Sequence, residues 1–260
     1  MPHPFLDHAG PIAFAHRGGL ERYPENTMAA FEDAVAVGFR YLETDVHVTA
    51  DGVLLAFHDH VLDRVTDRAG IVAQLPWSDV REARLANGER PVRFEELLAA
   101  WPDVRINVEP KHDAAVDPLA RALRDARALD RVCIGSLSGP RLIELRQRLG
   151  PEACTTLTPR EVLALRLGSW RIPSLAGIVR SSGARCAQLP MQARGLQLVD
   201  RWMVRRAHQL GLPVHVWTIN DATAMGRLLD LGVDGLMTDR PRVLRGVLER
   251  RGAWQDWSPR

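Results

Sequence analysis

Lysine is nearly missing from this chain of 260 residues: of its 34 basic side chains, Lys111 alone is not arginine. Such a bias records codon composition, yet Lys111 stands two residues after Glu109, on the same face of an expected strand, and that placement favours a specific job. Cysteine is scarce too. Cys133, Cys154 and Cys186 are an odd number, far apart, each inside a short apolar run, so buried reduced thiols are expected. None has the paired spacing of a structural zinc site. No apolar run reaches the ~20 residues of a membrane-spanning helix. Met1–Gly10 holds no stretch suited to a secretory signal, so a cytoplasmic protein is expected. The formal charge of +2 comes from scattered basic residues, which removes the electrostatic footprint of a nucleic-acid binder.

What is present is alternation. Short apolar runs at Ile12–Ala15, Tyr41–Val48, Arg105–Glu109, Val132–Ser136, Ala153–Leu157, Ala187–Pro190, Val214–Ile219 and Gly235–Thr238 read as strands. Between them lie helical stretches, among them Thr27–Val37, Leu119–Leu129, Pro140–Leu149, Pro159–Leu167, Gln197–Leu210 and Ala222–Leu231. Asn26 or Thr27 can cap the first, and Gly150, Gly168, Gly211 and Gly232 sit where helix C-termini favour a left-handed residue. Eight strands with intervening helices in a chain near the usual ~250 residues predict one (β/α)8 TIM barrel spanning residues 1–260. One piece breaks the alternation. Asp51-Gly52 between two apolar runs is a hairpin signal, pairing residues whose numbers sum to about 101–103, which folds His58 back toward Glu43 and Asp45. Residues 60–96 form a small insertion after the second strand.

The polar residues at the strand ends carry the chemistry. Glu43 and Asp45 point the same way along their strand, as do Glu109 and Lys111, and strand C-terminal ends converge on one mouth in a barrel. Three converging carboxylates repel one another unless a cation holds them; oxygen ligation suits a hard ion, Mg2+ or Ca2+. His16 and His58 arriving at the same mouth suit a general acid and a general base, because imidazole titrates near neutrality. Arg17 can grip a phosphate with its fork and Lys111 can add a point charge. Trp217 can wall the alcohol portion of a substrate. His47 is expected at the solvent rim, His60, His112 and His208 exposed, and His215 in reach of the barrel interior. Together these are the parts of a metal-assisted phosphodiesterase.

The motifs Ala15-His16-Arg17-Gly18, Pro24-Glu25-Asn26-Thr27, Glu43-Thr44-Asp45, His58-Asp59, Glu109-Pro110-Lys111, Trp217-Thr218-Ile219-Asn220 and Asp234–Pro241, in this order, resemble the glycerophosphodiester phosphodiesterase family. The resemblance implies a (β/α)8 barrel and a hydrolase of lipid and glycerol metabolism that cleaves a glycerophosphodiester to glycerol 3-phosphate and an alcohol. It implies His16 and His58 as the acid/base pair, Glu43, Asp45 and Glu109 as ligands of a divalent cation, Arg17 and Lys111 as phosphate contacts, and Glu25 as a buried partner orienting a catalytic side chain. It also implies the substrate's own glycerol hydroxyl as nucleophile, giving a cyclic phosphate that water opens. Pro110 departs from the apolar residue common at that position and would shift strand pairing locally. Two other readings remain: a lysophospholipase D-like enzyme, for which no amphipathic insertion is evident, and a non-catalytic barrel binding metal and phosphorylated ligands, which would predict a lost histidine or carboxylate. None is lost.

Overall fold

The structure is a computed structural model that describes residues 3–170, 175–193 and 195–257. All eight expected strands form within it. In chain order the strands are β1 Ile12–Ala15, β2 Tyr41–Val48, β3 Leu54–Ala56, β4 Val92–Arg93, β5 Arg105–Pro110, β6 Val132–Ile134, β7 Cys154–Thr155, β8 Ala187–Pro190, β9 Gln192–Ala193, β10 Leu196–Gln197, β11 Val214–Trp217 and β12 Gly235–Thr238. Eight of them pair in parallel in the order β7-β6-β5-β2-β1-β12-β11-β8. A lone parallel bridge between Thr156 and Cys186 joins the two ends. The sheet therefore closes into a (β/α)8 barrel.

Strands covered on both faces need apolar side chains on both, and two cores result. The outer one lies between strands and helices and includes Phe31, Leu119, Leu145, Met203 and Leu244. The inner one fills the barrel with Phe5, Ile12, Phe14, Tyr41, Met237 and the three cysteines. Phe5 comes from a 3-10 turn, Pro4–Leu6, and its carbonyl accepts from Tyr41 Oη at 2.9 Å and from Arg105 at 3.2 Å. The chain's start thus plugs the end of the barrel opposite the strand C-termini.

The hairpin pairs Val46 with Ala56, His47 with Leu55 and Val48 with Leu54, numbers summing to 102. Beyond it the chain builds a small core of its own from Leu55, Phe57, Leu62, Val72 and Val80 and returns through β4, antiparallel to β3. Pro110 does not shift the pairing. It sits opposite Val46 in an unbroken register, because the following amide, of Lys111, reaches the Val46 carbonyl at 3.0 Å. Helix limits moved more than strand limits. The first helix, Met28–Ala36, is capped by the Thr27 hydroxyl. The expected Leu119–Leu129 runs Val116–Asp125 instead, and Arg127 beyond it has a left-handed φ of 48°. The expected Gln197–Leu210 begins only at Arg201, where Asp200 caps two amides, because Leu196–Gln197 pairs with Gln192–Ala193. Gly150, Gly211 and Gly232 have the positive φ of helix ends; Gly168 lies within the helix Pro159–Ser169.

Candidate active site

A cavity of about 250 Å³ opens at the C-terminal ends of the strands, and His16, Arg17, Glu43, Asp45, His58, Glu109, Lys111 and Trp217 all line it. The ninth residue singled out from the sequence, Glu25, is buried just behind Arg17, its Oε1 accepting from Arg17 at 3.1 Å.

His16 and Arg17 leave β1 in a tight turn. Arg17 takes a φ of 51° and Gly18 and Gly19 take 84° and 91°. A Cβ on Gly18 would stand 2.9 Å from the Ala30 Cβ, and one on Gly19 would stand 2.6 Å from Pro241 Cγ; no larger residue fits either place. The turn aims the Arg17 amide at Glu43 Oε2, 3.0 Å away. It also sets His16 Nδ1 against Asp239 Oδ1 at 2.6 Å, while its Nε2 lies 3.7 Å from Glu43. Asn220 donates to the other Asp239 oxygen at 2.7 Å. Burial opposes a charge on His16, but Glu43 and Asp239 outweigh it and raise the imidazole pKa. The same contacts hold Asp239 below the usual carboxylate range against its own desolvation.

His58 is built the same way from another part of the chain. The Phe57 amide donates to the Asp45 carbonyl at 2.9 Å, which carries the returning chain to the mouth. His58 Nδ1 contacts Asp59 Oδ1 at 2.6 Å. Arg64 grips Asp59 with two bonds, of 2.5 and 3.0 Å, and reaches Glu25 at 2.6 Å with the same guanidinium. Arg64 thereby holds Asp59 far below the ordinary carboxylate range. His47 corrects the expectation of a solvent-rim residue. The chain at 57–59 covers it, and its buried Nε2 meets the His58 carbonyl at 3.0 Å. His60, His112 and His208 are exposed as expected.

The carboxylates sit on two adjacent strands, Asp45 directly beside Glu109 in register. Lys111 Nζ lies between them, 2.8 Å from Asp45 Oδ1 and 2.7 Å from Glu109 Oε2. Burial opposes its charge, but both carboxylates outweigh that and raise its pKa. Arg17 Nε approaches Asp45 Oδ2 to 3.1 Å, yet the alignment is too poor for a hydrogen bond, and that oxygen is buried without one. Glu43 carries the largest burden. Burial, reinforced by the neighbouring Asp45 charge, pushes its carboxyl up to about 7. Trp217 closes one wall, and Leu137, 65% exposed, stands at the rim with its amide on Glu109 Oε1 at 3.2 Å.

Four partners were not assigned from the sequence: Asp59, Arg64, Asn220 and Asp239. Asp59 and Asp239 lay inside quoted motifs, one directly after a histidine and one directly after a strand end, and that adjacency was the available signal. Nothing in the sequence pairs Asn220 with Asp239 or Arg64 with Glu25.

Similarity to known proteins identifies the family and the fold. Residues 16–243 match the family model described as "Glycerophosphoryl diester phosphodiesterase family". The chain is 39% identical over 259 residues to "Probable glycerophosphodiester phosphodiesterase 2" of Mycobacterium tuberculosis, covering 96% of this chain and 95% of that protein. A glycerophosphoryl diester phosphodiesterase-type structure from Silicibacter pomeroyi superposes with a TM-score of 0.80 at 25% identity, over 96% of this chain and 98% of the other. A phosphodiesterase from Oleispira antarctica, solved in complex with the product sn-glycerol-3-phosphate, shares the fold with a TM-score of 0.76 at 21% identity, over 92% and 97% of the two chains. No described helix is long and apolar enough to cross a membrane. The chain belongs to the glycerophosphoryl diester phosphodiesterase family and is an enzyme of that family.

Proposed function

We propose that this enzyme hydrolyses small glycerophosphodiesters to glycerol 3-phosphate and an alcohol, using His16 and His58 as its proton-transfer groups and a divalent cation, Mg2+ or Ca2+, held by Glu43, Asp45 and Glu109. The observation that carries the reading is the pair of like-built histidines at one mouth: each has Nδ1 against a carboxylate at 2.6 Å. Fixing Nδ1 in this way leaves Nε2 as the working nitrogen. A diester needs one proton removed from its nucleophile and one delivered to its leaving alcohol, so two such groups match the reaction.

The donor chemistry fits a hard cation, although with Lys111 between Asp45 and Glu109 the three carboxylates do not draw within 4.8 Å of one another. Asp45 Oδ2 is a buried carboxylate oxygen without a hydrogen bond, and Glu43 is a buried carboxylate whose ionisation burial resists. Oxygen donors of this kind, and no thiolate or imidazole among the three, suit Mg2+ or Ca2+ over a softer metal. When bound, the ion would neutralise phosphoryl charge and acidify the attacking hydroxyl, whether water or the substrate's own glycerol oxygen. Arg17 and Lys111 lie at the same mouth and bring two cations to the phosphoryl oxygens. Lys111 already spans Asp45 and Glu109, so cation and substrate would share those carboxylates with it. Trp217 offers an apolar wall to the remainder of the substrate. The cavity of about 250 Å³, just below the usual ~300–1,000 Å³ of ligand pockets, favours a polar headgroup substrate.

The exposed Leu137 beside Glu109 supports a second reading, a lysophospholipase D-like activity in which an acyl chain lies over the rim. One assay tests both. Purified enzyme is incubated with glycerophosphocholine, glycerophosphoethanolamine or a lysophospholipid, each with Mg2+, Ca2+ or chelator. Cation-dependent release of glycerol 3-phosphate from the first two is expected. Cleavage of the lysophospholipid alone would move the assignment to the second reading, and cation-independent turnover would remove the metal from it.

A further inference from the structure

Two residues below the mouth, the barrel interior changes character. The cavity floor includes Gly135, Thr156 and Gln188, with Trp217 on the wall. Counting back two along each of those segments gives Cys133, Cys154, Cys186 and His215, which by strand alternation face the same interior one layer deeper. The three cysteines, far apart in sequence, thus arrive together: their sulfurs all lie within 4.8 Å of one another, and among the described residues they form the one such group of three potential metal ligands. The catalytic carboxylates do not form one. All three cysteines are free thiols and fully enclosed.

His215 is the independent observation. It is 0% exposed, its ring packs 5.0 Å from Phe14, and neither ring nitrogen makes a hydrogen bond of good geometry, although the Cys186 thiol lies close beside it. A buried imidazole with both nitrogens unsatisfied is costly and rare. The ring lies close enough to Cys186 to help pull its thiol pKa down, after the stronger pull of hydrogen bonds from Cys133 and Cys154. Burial meanwhile drives the Cys133 and Cys154 thiols up. A thiolate in so enclosed a place is expensive unless a cation meets it.

We propose that Cys133, Cys154 and Cys186 form a buried three-sulfur site for a thiophilic divalent cation, zinc being the best match, with the neighbouring His215, which stands outside the mutually close group of sulfurs, as the fourth donor once it closes in. Metal–sulfur bonds of ~2.3 Å in a tetrahedron set sulfurs about 3.8 Å apart, and Cys133 Sγ lies 3.8 Å from Cys186 Sγ. Binding displaces thiol protons to solvent; with two thiolates the site is neutral, and with three its single negative charge has the Arg185 guanidinium nearby. The site bridges the barrel's thinnest seam. β7 has two residues, and the lone Thr156–Cys186 bridge joins it to the β8 side. A metal here fastens β6, β7, β8 and β11 together where backbone pairing is sparsest. It is a structural centre, separate from the catalytic mouth and independent of the proposed function.

Metal content and cobalt spectroscopy of the whole protein test it. Protein produced with zinc and passed through gel filtration should retain about one zinc per chain, released when a mercurial titrates its thiols. Refolding with Co2+ should give an intense thiolate-to-cobalt charge-transfer band and tetrahedral d–d bands, which oxygen ligation at the mouth cannot produce. Cys186→Ser should abolish both, Glu109→Gln should leave both unchanged, and omitting the metal should lower Tm by about 5–10 °C. Absence of the charge-transfer band in refolded wild-type protein overturns the site, whether or not the cysteine variant folds. So do three freely titrating thiols in zinc-free native protein of unchanged Tm, or a disulfide between any two of them.

Discussion

The mouth and the layer just beneath it are made by the same strands, two residues apart, yet they solve opposite problems. At the mouth, charges are crowded and several are answered by another from a remote segment: His16 by Asp239, Glu25 by Arg64, Asp45 by Lys111. One layer down, thiols and an imidazole are enclosed by Phe14, Tyr41 and Met237, and the His215 nitrogens make no hydrogen bond of good geometry. The difference teaches where cost is tolerated. Solvent and substrate reach the mouth, so its charges can be exchanged during a reaction cycle. The lower layer is closed off from the surface, and polar groups there persist only if something permanent satisfies them.

The largest expected effects fall on the mouth alone. His16→Ala and His58→Ala should each lower kcat by about 10²–10⁴-fold, the usual range for a lost general acid or base, with little change in Tm because both sit at strand ends. Steady-state kinetics beside thermal melts check this. Near wild-type turnover in either variant would break the division of labour, since that histidine would then be as structural as His215.

The next effect is on stability and concerns Glu43. Its carboxyl titrates near 7 in the folded chain against an ordinary value of 4.5. Below pH 4.5 it is protonated in both states. As pH rises through the window from 4.5 to about 7 the unfolded chain ionises first, so metal-free stability falls, by on the order of 3 kcal/mol once the shift is complete. His16, also raised, adds a loss of the same sign. In chelator at pH 8, Glu43→Gln should therefore melt about 5–10 °C above wild type, and added Mg2+ or Ca2+ should stabilise the wild type more than the variant. Equal melting temperatures across pH 4–8 would show that the mouth bears no such strain.

Smaller losses are expected from the carboxylates behind the histidines. Asp239→Asn and Asp59→Asn keep the shape but remove the charge that steadies a protonated ring and fixes its tautomer. Each should cost about 10–100-fold in kcat, and Asp239→Asn should also shift the pH–rate profile, because the Asp239 charge helps raise the His16 pKa. Unchanged kcat in Asp59→Asn, or an unmoved profile in Asp239→Asn, would reduce that aspartate to packing.

The two layers also differ in how far the sequence revealed them. The eight strands were legible because apolar runs buried on both faces have a clear length and spacing, and the hairpin register followed from Asp51-Gly52. Mouth residues were legible because strand ends are where polar side chains interrupt apolar runs. Long-range pairs such as Asn220–Asp239 were not, since nothing local in either residue encodes its partner. His47 was misread for want of the covering chain, and helix ends shifted where Asp200 capped a helix four residues late. The cysteines were read correctly as buried, but their convergence was hidden: ligand spacing within one segment is the usual signal, and here each ligand comes from a different strand at one depth.

The smallest effect tests whether the lone lysine is a choice. Lys111 Nζ reaches Asp45 Oδ1 and Glu109 Oε2 at 2.8 and 2.7 Å, a compact ammonium between two carboxylates, with the Arg17 guanidinium already beside Asp45. Arginine at 111 keeps the charge but replaces a point donor by a longer planar fork, which must either fold back on itself or push toward the space the phosphoryl group and cation require. Lys111→Arg should therefore lower kcat/KM by about 10-fold, with the loss chiefly in kcat if the fork crowds the reacting phosphoryl group. Arg124→Lys, on the exposed outer surface, should change neither parameter. Wild-type kinetics in Lys111→Arg would mean that the mouth asks only for a positive charge there, and that one lysine among so many arginines is an accident of composition.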